Sequence, residues 1–195
     1  MKVLALNPGS TSTKVALFED GREVWSETQR YDADVLGKFS SVSEQEGFRL
    51  EEIRRRLEAR GTSLAGLDGV VGRGGLLRPI ESGTYEVNDK MLSDVRTCRW
   101  GAHASNLGAP LAVRLAEEGG CRKAFIVDPV VVDELGPLAR YSGLPELERR
   151  SVFHALNQKS VARRAAAEIG KPYDQCRLII AHMGGGISVG AHDLG

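Results

Sequence analysis

The stretch "LALNPGSTSTKVALFEDG", Leu4 to Gly21, holds a hydroxyl-rich loop with one glycine, followed by Lys14, a composition suited to phosphate. A nucleotide P-loop reads G-x-x-x-x-G-K-[ST] and opens a helix. Here Gly9 is followed by Ser10, Thr11, Ser12 and Thr13, with no second glycine before Lys14. The apolar run Val15 to Phe18 comes next, then Asp20-Gly21, a hairpin turn signal, then "REVWSETQRY", a further strand. The loop therefore joins two strands, and the Walker reading fails.

Composition limits what such a loop can serve. The chain has 195 residues, 42% of them hydrophobic, enough for one or two domains with a real core. Its 26 basic and 26 acidic side chains cancel, so charge gives no case for a nucleic-acid or membrane partner. Cys98, Cys121 and Cys176 are odd in number and lack C-x-x-C spacing, which suits reduced cytosolic thiols better than disulfides or zinc. "MKVLAL" is too short for a signal peptide, and no stretch reaches transmembrane length. A soluble, cytoplasmic protein is expected.

Outward from the opening hairpin, the pattern alternates. A helix is expected from about Ser43 to Arg60, with Ser43 and Glu46 as a capping box, Leu50, Ile53 and Leu57 on one face, and Gly61 as the stop. "GVVG" (Gly69–Gly72) and "TYEV" read as strands, and Asp89–Thr97 and Ser105–Glu118 as helices. "KAFIVD" is a strand ending on Asp128, and "ALNQKSVARRAAAEIG" a helix closed by Gly170. This is α/β patterning. Near the end, "IIAHMGGGISVGAHDLG" repeats the opening logic of apolar strand, small-residue loop and strand. His182-Met183-Gly184-Gly185 then matches Asn7-Pro8-Gly9-Ser10. Two unrelated hairpins would look the same locally, but self-similarity is the mark of a duplicated fold.

Two phosphate loops on hairpins, half a protein apart, resemble the actin, Hsp70 and sugar-kinase ATPase fold, which is ribonuclease H-like. More narrowly, "LALNPGSTSTKVALF", "VVGRGGLLRPIESGTYEVND", "GAHASNLGAPLA", "FIVDPVVVDEL", "SVFHALNQKSVARRAA" and "AHMGGGISVGAH" resemble, in order, the acetate and butyrate kinase family. That resemblance implies an actin-like N-terminal domain over residues 1–150. Residues 151–195 would be a linking helix and the first hairpin of a second, nucleotide-binding domain present only at its start. It implies ATP and Mg²⁺, a short-chain carboxylate acceptor (butyrate first), an acyl phosphate plus ADP as products, and a homo-oligomer when full length. Residues 1–195 alone are expected to be inactive, with Ile179, Ile180 and Val189 of the last hairpin uncovered. The rivals are an actin-like module that binds nucleotide without transferring phosphate, and a kinase of acetate, propionate or a branched-chain acid.

Each candidate residue has a plainer reading beside the functional one. Ser10, Thr11, Ser12 and Lys14 suit phosphate oxygens, and the resemblance makes Asn7 a ligand of Mg²⁺, directly or through water; Asn-Pro-Gly-Ser is also good turn chemistry. Gly184, Gly185 and Gly186 let a backbone approach nucleotide phosphates, with His182 beside them. Neither loop has the G-x-G-x-x-G dinucleotide fingerprint. Arg73 offers a planar fork to a carboxylate, with Gly74-Gly75 giving access, or is a surface-turn arginine. The resemblance makes His103 a second acid-side residue, although alone it reads as a helix-start histidine. It makes Asp128 the acid/base candidate, where strand-end turn chemistry before Pro129 is the alternative. It gives His154 a transition-state role; otherwise His154 is an interdomain histidine.

Overall fold

The computed structural model describes residues 1–121, 123–184 and 186–195. The chain divides into two compact units, Met1–Arg78 with Gly83–Pro129, and Pro79–Ser82 with Val130–Gly195.

In the first unit, β1 (Lys2–Pro8) and β2 (Ser12–Glu19) form the expected hairpin, and β3 (Arg22–Arg30) pairs with β2. The turn between β2 and β3 is Asp20-Gly21, with φ of 49° and 78°, the left-handed pair that a tight two-residue hairpin requires. β4 (Gly69–Arg73) lies parallel to β1, and β6 (Ala124–Val127) lies parallel to β4. β5 (Thr84–Glu86) closes the edge antiparallel to β6, giving the order β3-β2-β1-β4-β6-β5. The parallel steps need crossovers, and helices α2 (Gln45–Ala59) and α4 (Gly108–Gly119) supply them. This unit also holds the single turn α1 (Ala33–Leu36), α3 (Asp89–Arg96) and a 3-10 turn, Ala104–Leu107, that leads into α4.

One face of this sheet is the core. Leu4, Leu6, Val15, Leu17 and Val70 pack against Leu50, Ile53 and Leu57 of α2 and against Leu111 and Leu115 of α4. Each leucine fully buried there contributes roughly 1.5–3 kcal/mol. The residues that alternate with them, including Asn7, Lys14 and Arg73, fall on the opposite face.

Two local expectations are corrected. Ser43 does not cap α2; its Oγ donates to the Arg96 carbonyl at 2.9 Å, and Glu46 pairs with Arg96 at 3.0 Å, so both residues tie α2 to α3. Gly74 and Gly75 are not an open approach to Arg73. A side chain at Gly74 would enter Pro129, and one at Gly75 would enter Asn106. These glycines, with Gly72 and Gly108, allow close packing where α4 meets the end of β4.

The second unit contains α5 (Ala155–Glu168), which packs on β7 (Arg177–Met183), paired antiparallel with β8 (Ile187–Asp193). Gly170, at φ 72°, follows the helix as its stop. His182 and Met183, expected in the loop, belong to β7, so the loop is reduced to residues 184–186. Ile179 and Val189 face outward as expected, at 79% and 64% exposed. Ile180 does not: period-2 alternation turns it inward, and it is 7% exposed.

Candidate active site

The parallel strands bring three candidates to one edge of the sheet. In the registers Leu6↔Gly72 and Gly72↔Ile126, the residues that follow are Asn7 on β1, Arg73 on β4 and Val127 on β6, with Asp128 next. Functional groups of α/β sheets gather at this carboxyl end. Lys14 is the cross-strand partner of Asn7, on the same face, with β-carbons ~5 Å apart in such a pair. Ser10 and Thr11 lie exposed on the connecting loop, while Ser12 opens β2.

Arg73 is half-buried, and burial holds its guanidinium below the usual arginine range. Among the described residues no carboxylate forms an ion pair with it. His103, on the segment entering α4, takes the Ser105 N–H on Nδ1 at 3.1 Å, with the Ser105 Oγ 2.7 Å from the same nitrogen. A backbone N–H can only donate, so Nδ1 accepts and the neutral ring carries its proton on Nε2. Desolvation, and then the Arg73 charge, hold His103 below the usual histidine range. It therefore presents a neutral N–H donor near a bare guanidinium.

Asp128 is 4% exposed and sits at φ 36°, a left-handed conformation uncommon for a residue with a side chain and harder still before proline. Its Oδ1 accepts the Gly83 N–H at 2.9 Å, and its own N–H donates to the Gly83 carbonyl at 3.0 Å. Residues held in such conformations concentrate at active sites.

In the second unit, His154 and His182 stack with ring centroids 3.7 Å apart beside the 184–186 loop. A β-carbon at Gly186 would press on His154 Cε1 at 3.2 Å, so that glycine admits the imidazole. Gly184 is open, its N–H bonded to the Gly186 carbonyl at 3.1 Å; Gly185 lies outside the described residues. Ser188 Oγ accepts the His154 N–H and the Gln158 amide, and its remaining O–H faces His154 Nδ1 at 2.9 Å. With Nδ1 accepting that O–H, the proton of a neutral His154 ring would lie on Nε2. Gln158, fully buried, is held in turn by His192, and His192 by the Tyr173 hydroxyl at 2.7 Å. Burial, with the Lys159 charge second, holds His192 below the usual histidine range.

Gln158 and Ser188 were not legible as support for His154, because nothing in their spacing announces them. Arg49 and Gln45 were also missed, and here a signal existed. Both continue, at intervals of four, the apolar stripe of Ile53 and Leu57, where a polar residue needs a reason. The Arg49 guanidinium is fully buried beneath the first loop, donating to the carbonyls of Gly9 (2.8 Å), Ser12 (3.0 Å) and Ser10 (3.3 Å).

Among the described residues no group of three or more His, Cys, Asp or Glu could hold a metal ion. A magnesium ion asks for less: one or two carboxylates or carbonyl oxygens, with water and substrate phosphates completing its octahedron. Asn7 and Asp128, two strands apart at the same sheet edge, are oxygen donors of that kind.

Similarity to known proteins runs over the whole chain. The chain is 55% identical over 195 residues to a probable butyrate kinase of Coprothermobacter proteolyticus, covering 100% of this chain and 54% of that protein. It is 52% identical over 194 residues to butyrate kinase 2 of Clostridium acetobutylicum, with the same coverage. Along its whole length the chain is similar to these two butyrate kinases. It spans about half the length of the curated relatives it matches. No family model matches it.

Solved structures agree at the level of fold. An acetate kinase from Porphyromonas gingivalis superposes with a TM-score of 0.68 at 20% identity, covering 98% of this chain and 55% of that one. One from Entamoeba histolytica gives 0.65 at 15% identity, covering 99% and 52%. A propionate kinase from Francisella tularensis gives 0.59 at 16%, covering 97% and 54%. The fold is thus the actin-like α/β fold that the two hairpin loops and the resemblance implied. Among the described residues no helix is long and apolar enough to cross a membrane.

Proposed function

We infer that the whole protein is a carboxylate kinase, moving the γ-phosphoryl group of ATP to a short-chain acid and, in reverse, making ATP from an acyl phosphate. The observation that carries this reading is Arg73: a half-buried guanidinium at the end of a central strand, with no carboxylate of its own among the described residues. A buried cation without a partner is costly. A carboxylate ligand would supply the partner, through two parallel N–H···O bonds. The butyrate kinase relatives make butyrate the first choice of acid.

The other candidates would each take a part in the same reaction. His103 would donate its Nε2–H to the acid, and Lys14 with Ser10, Thr11 and Ser12 would hold phosphate oxygens. Asn7 and Asp128 would hold Mg²⁺, which when bound neutralises charge on the phosphates. Asp128 would also be the acid/base candidate of the site. His154 would donate to the transferring group in the transition state, with His182 and residues 184–186 cradling nucleotide. Residues 1–150 would then form the acid-binding domain and residues 151–195 the start of the nucleotide-binding one. Transfer in this scheme is direct and in line, since positioning and charge neutralisation are what phosphoryl transfer needs.

The test is ADP release by the whole protein against unbranched acids of two to five carbons. The expected result is acid-dependent ADP formation with highest kcat/KM at four carbons. One methylene in an apolar pocket alters discrimination by about 1–3 kcal/mol, so neighbouring acids should react more slowly rather than not at all. ATP hydrolysis indifferent to every acid would remove the kinase reading.

A further inference from the structure

The carbonyls of the first loop all point into the protein. Gly9 and Ser10 give theirs to Arg49, Thr11 gives its own to the Tyr31 N–H at 2.9 Å, and Ser12 shares its carbonyl between Arg49 and the Gly9 N–H. Every peptide bond here is trans and planar, so each C=O is antiparallel to the N–H of the next residue. With the Gly9 and Ser10 carbonyls drawn inward, the N–H groups of Ser10 and Thr11 are directed outward. Neither has an acceptor among the described residues.

Arg49 is itself held rigidly. Gln45 Oε1 accepts from both Nε (3.1 Å) and an Nη (2.8 Å), Thr13 Oγ1 from the other Nη (3.1 Å), and the Tyr31 ring lies 4.9 Å from the guanidinium carbon. Among the described residues no carboxylate neutralises it. A full positive charge therefore sits under the loop on the side away from solvent. Lysine could not substitute, because its ammonium is a point charge without the fork that reaches several carbonyls at once.

We propose that Arg49 is the positioning residue of the first phosphate loop: from inside the fold it pins the loop carbonyls, turns the Ser10 and Thr11 N–H groups outward as an anion cradle, and adds uncompensated positive charge behind them. The inference rests on the phosphate-binding role given to this loop above. Arg49 touches no substrate; it acts through the backbone it orients.

The experiment is a titration of the ¹⁵N-labelled full chain with sodium pyrophosphate, following the Ser10 and Thr11 amide resonances. In the native protein both should shift saturably. Arg49→Lys should weaken binding at least about tenfold, equivalent to about 1.4 kcal/mol, while resonances across β4 and β6 stay in place. Arg49→Ala should lose binding and regain part of it when methylguanidinium is added. Gln45→Met keeps the charge and loosens its tether, so a smaller weakening is expected from a variant that spares the guanidinium. Native-like affinity in Arg49→Lys and Gln45→Met would overturn the proposal while leaving the phosphate loop intact. Failure of the native Ser10 and Thr11 amides to respond would remove the phosphate role of the loop, and the positioning role with it.

Discussion

Arg49 and Arg73 are two partly or fully buried guanidiniums that differ in what surrounds them, and the difference predicts opposite effects on stability. Arg49 satisfies loop carbonyls, so Arg49→Met strands buried acceptors and should lower stability by ~1–3 kcal/mol. Arg73 meets no carboxylate among the described residues, so Arg73→Met removes a desolvated charge and should raise stability by ~1 kcal/mol while abolishing acid binding. Urea unfolding of both variants checks the pair of signs. His192 gives a pH dependence. Its folded pKa lies below its ordinary 6.5, so the unfolded chain binds the extra proton first. Its contribution is complete above pH 6.5 and is lost as pH falls through 6.5 towards the folded value. Thermal melts between pH 7.5 and 5.5 should show a steeper loss for the native protein than for His192→Gln.

Among the elements, the join between β4 and α4 is the tightest part of the first unit. A β-carbon at Gly72 would collide with the Gly108 carbonyl, and one at Gly108 with the Arg73 carbonyl. Gly72→Ala should therefore destabilise by roughly 1–3 kcal/mol, seen as a lower urea midpoint at unchanged slope, and should displace Arg73. An unchanged midpoint would mean that α4 can retreat. The glycines around Arg73 stood out, but whether a glycine opens a path or admits a helix depends on a partner distant in the chain. Ser43 and Glu46 teach the same lesson: their spacing is a local capping signal, and α3, some fifty residues on, takes both side chains instead. The opening hairpin and the inward face of α2 were legible because periodicity and turn signals are local. The network from Tyr173 through His192, Gln158 and Ser188 to His154 was not, because hydrogen-bond partners carry no spacing rule.

For the whole molecule, the two hairpins are the main sign of the fold. β1 and β2 enclose the first loop, β7 and β8 the second, and each loop has candidate phosphate-binding groups at its margin. The acid-side candidates Arg73, His103 and Asp128 lie in the first unit, and the stacked histidines in the second. The central claim is that a carboxylate accepts the phosphoryl group while Arg73 holds it. Trapping of acyl phosphate as its hydroxamate, with ATP, Mg²⁺ and butyrate, by the whole protein and by Arg73→Lys, tests this most directly. The account predicts hydroxamate that requires both ATP and acid, with kcat/KM for butyrate about 100-fold lower in Arg73→Lys, a loss of ~2.7 kcal/mol, and ATP affinity nearly unchanged. No acid-dependent hydroxamate from the native protein, or equal kinetics in Arg73→Lys, would contradict it.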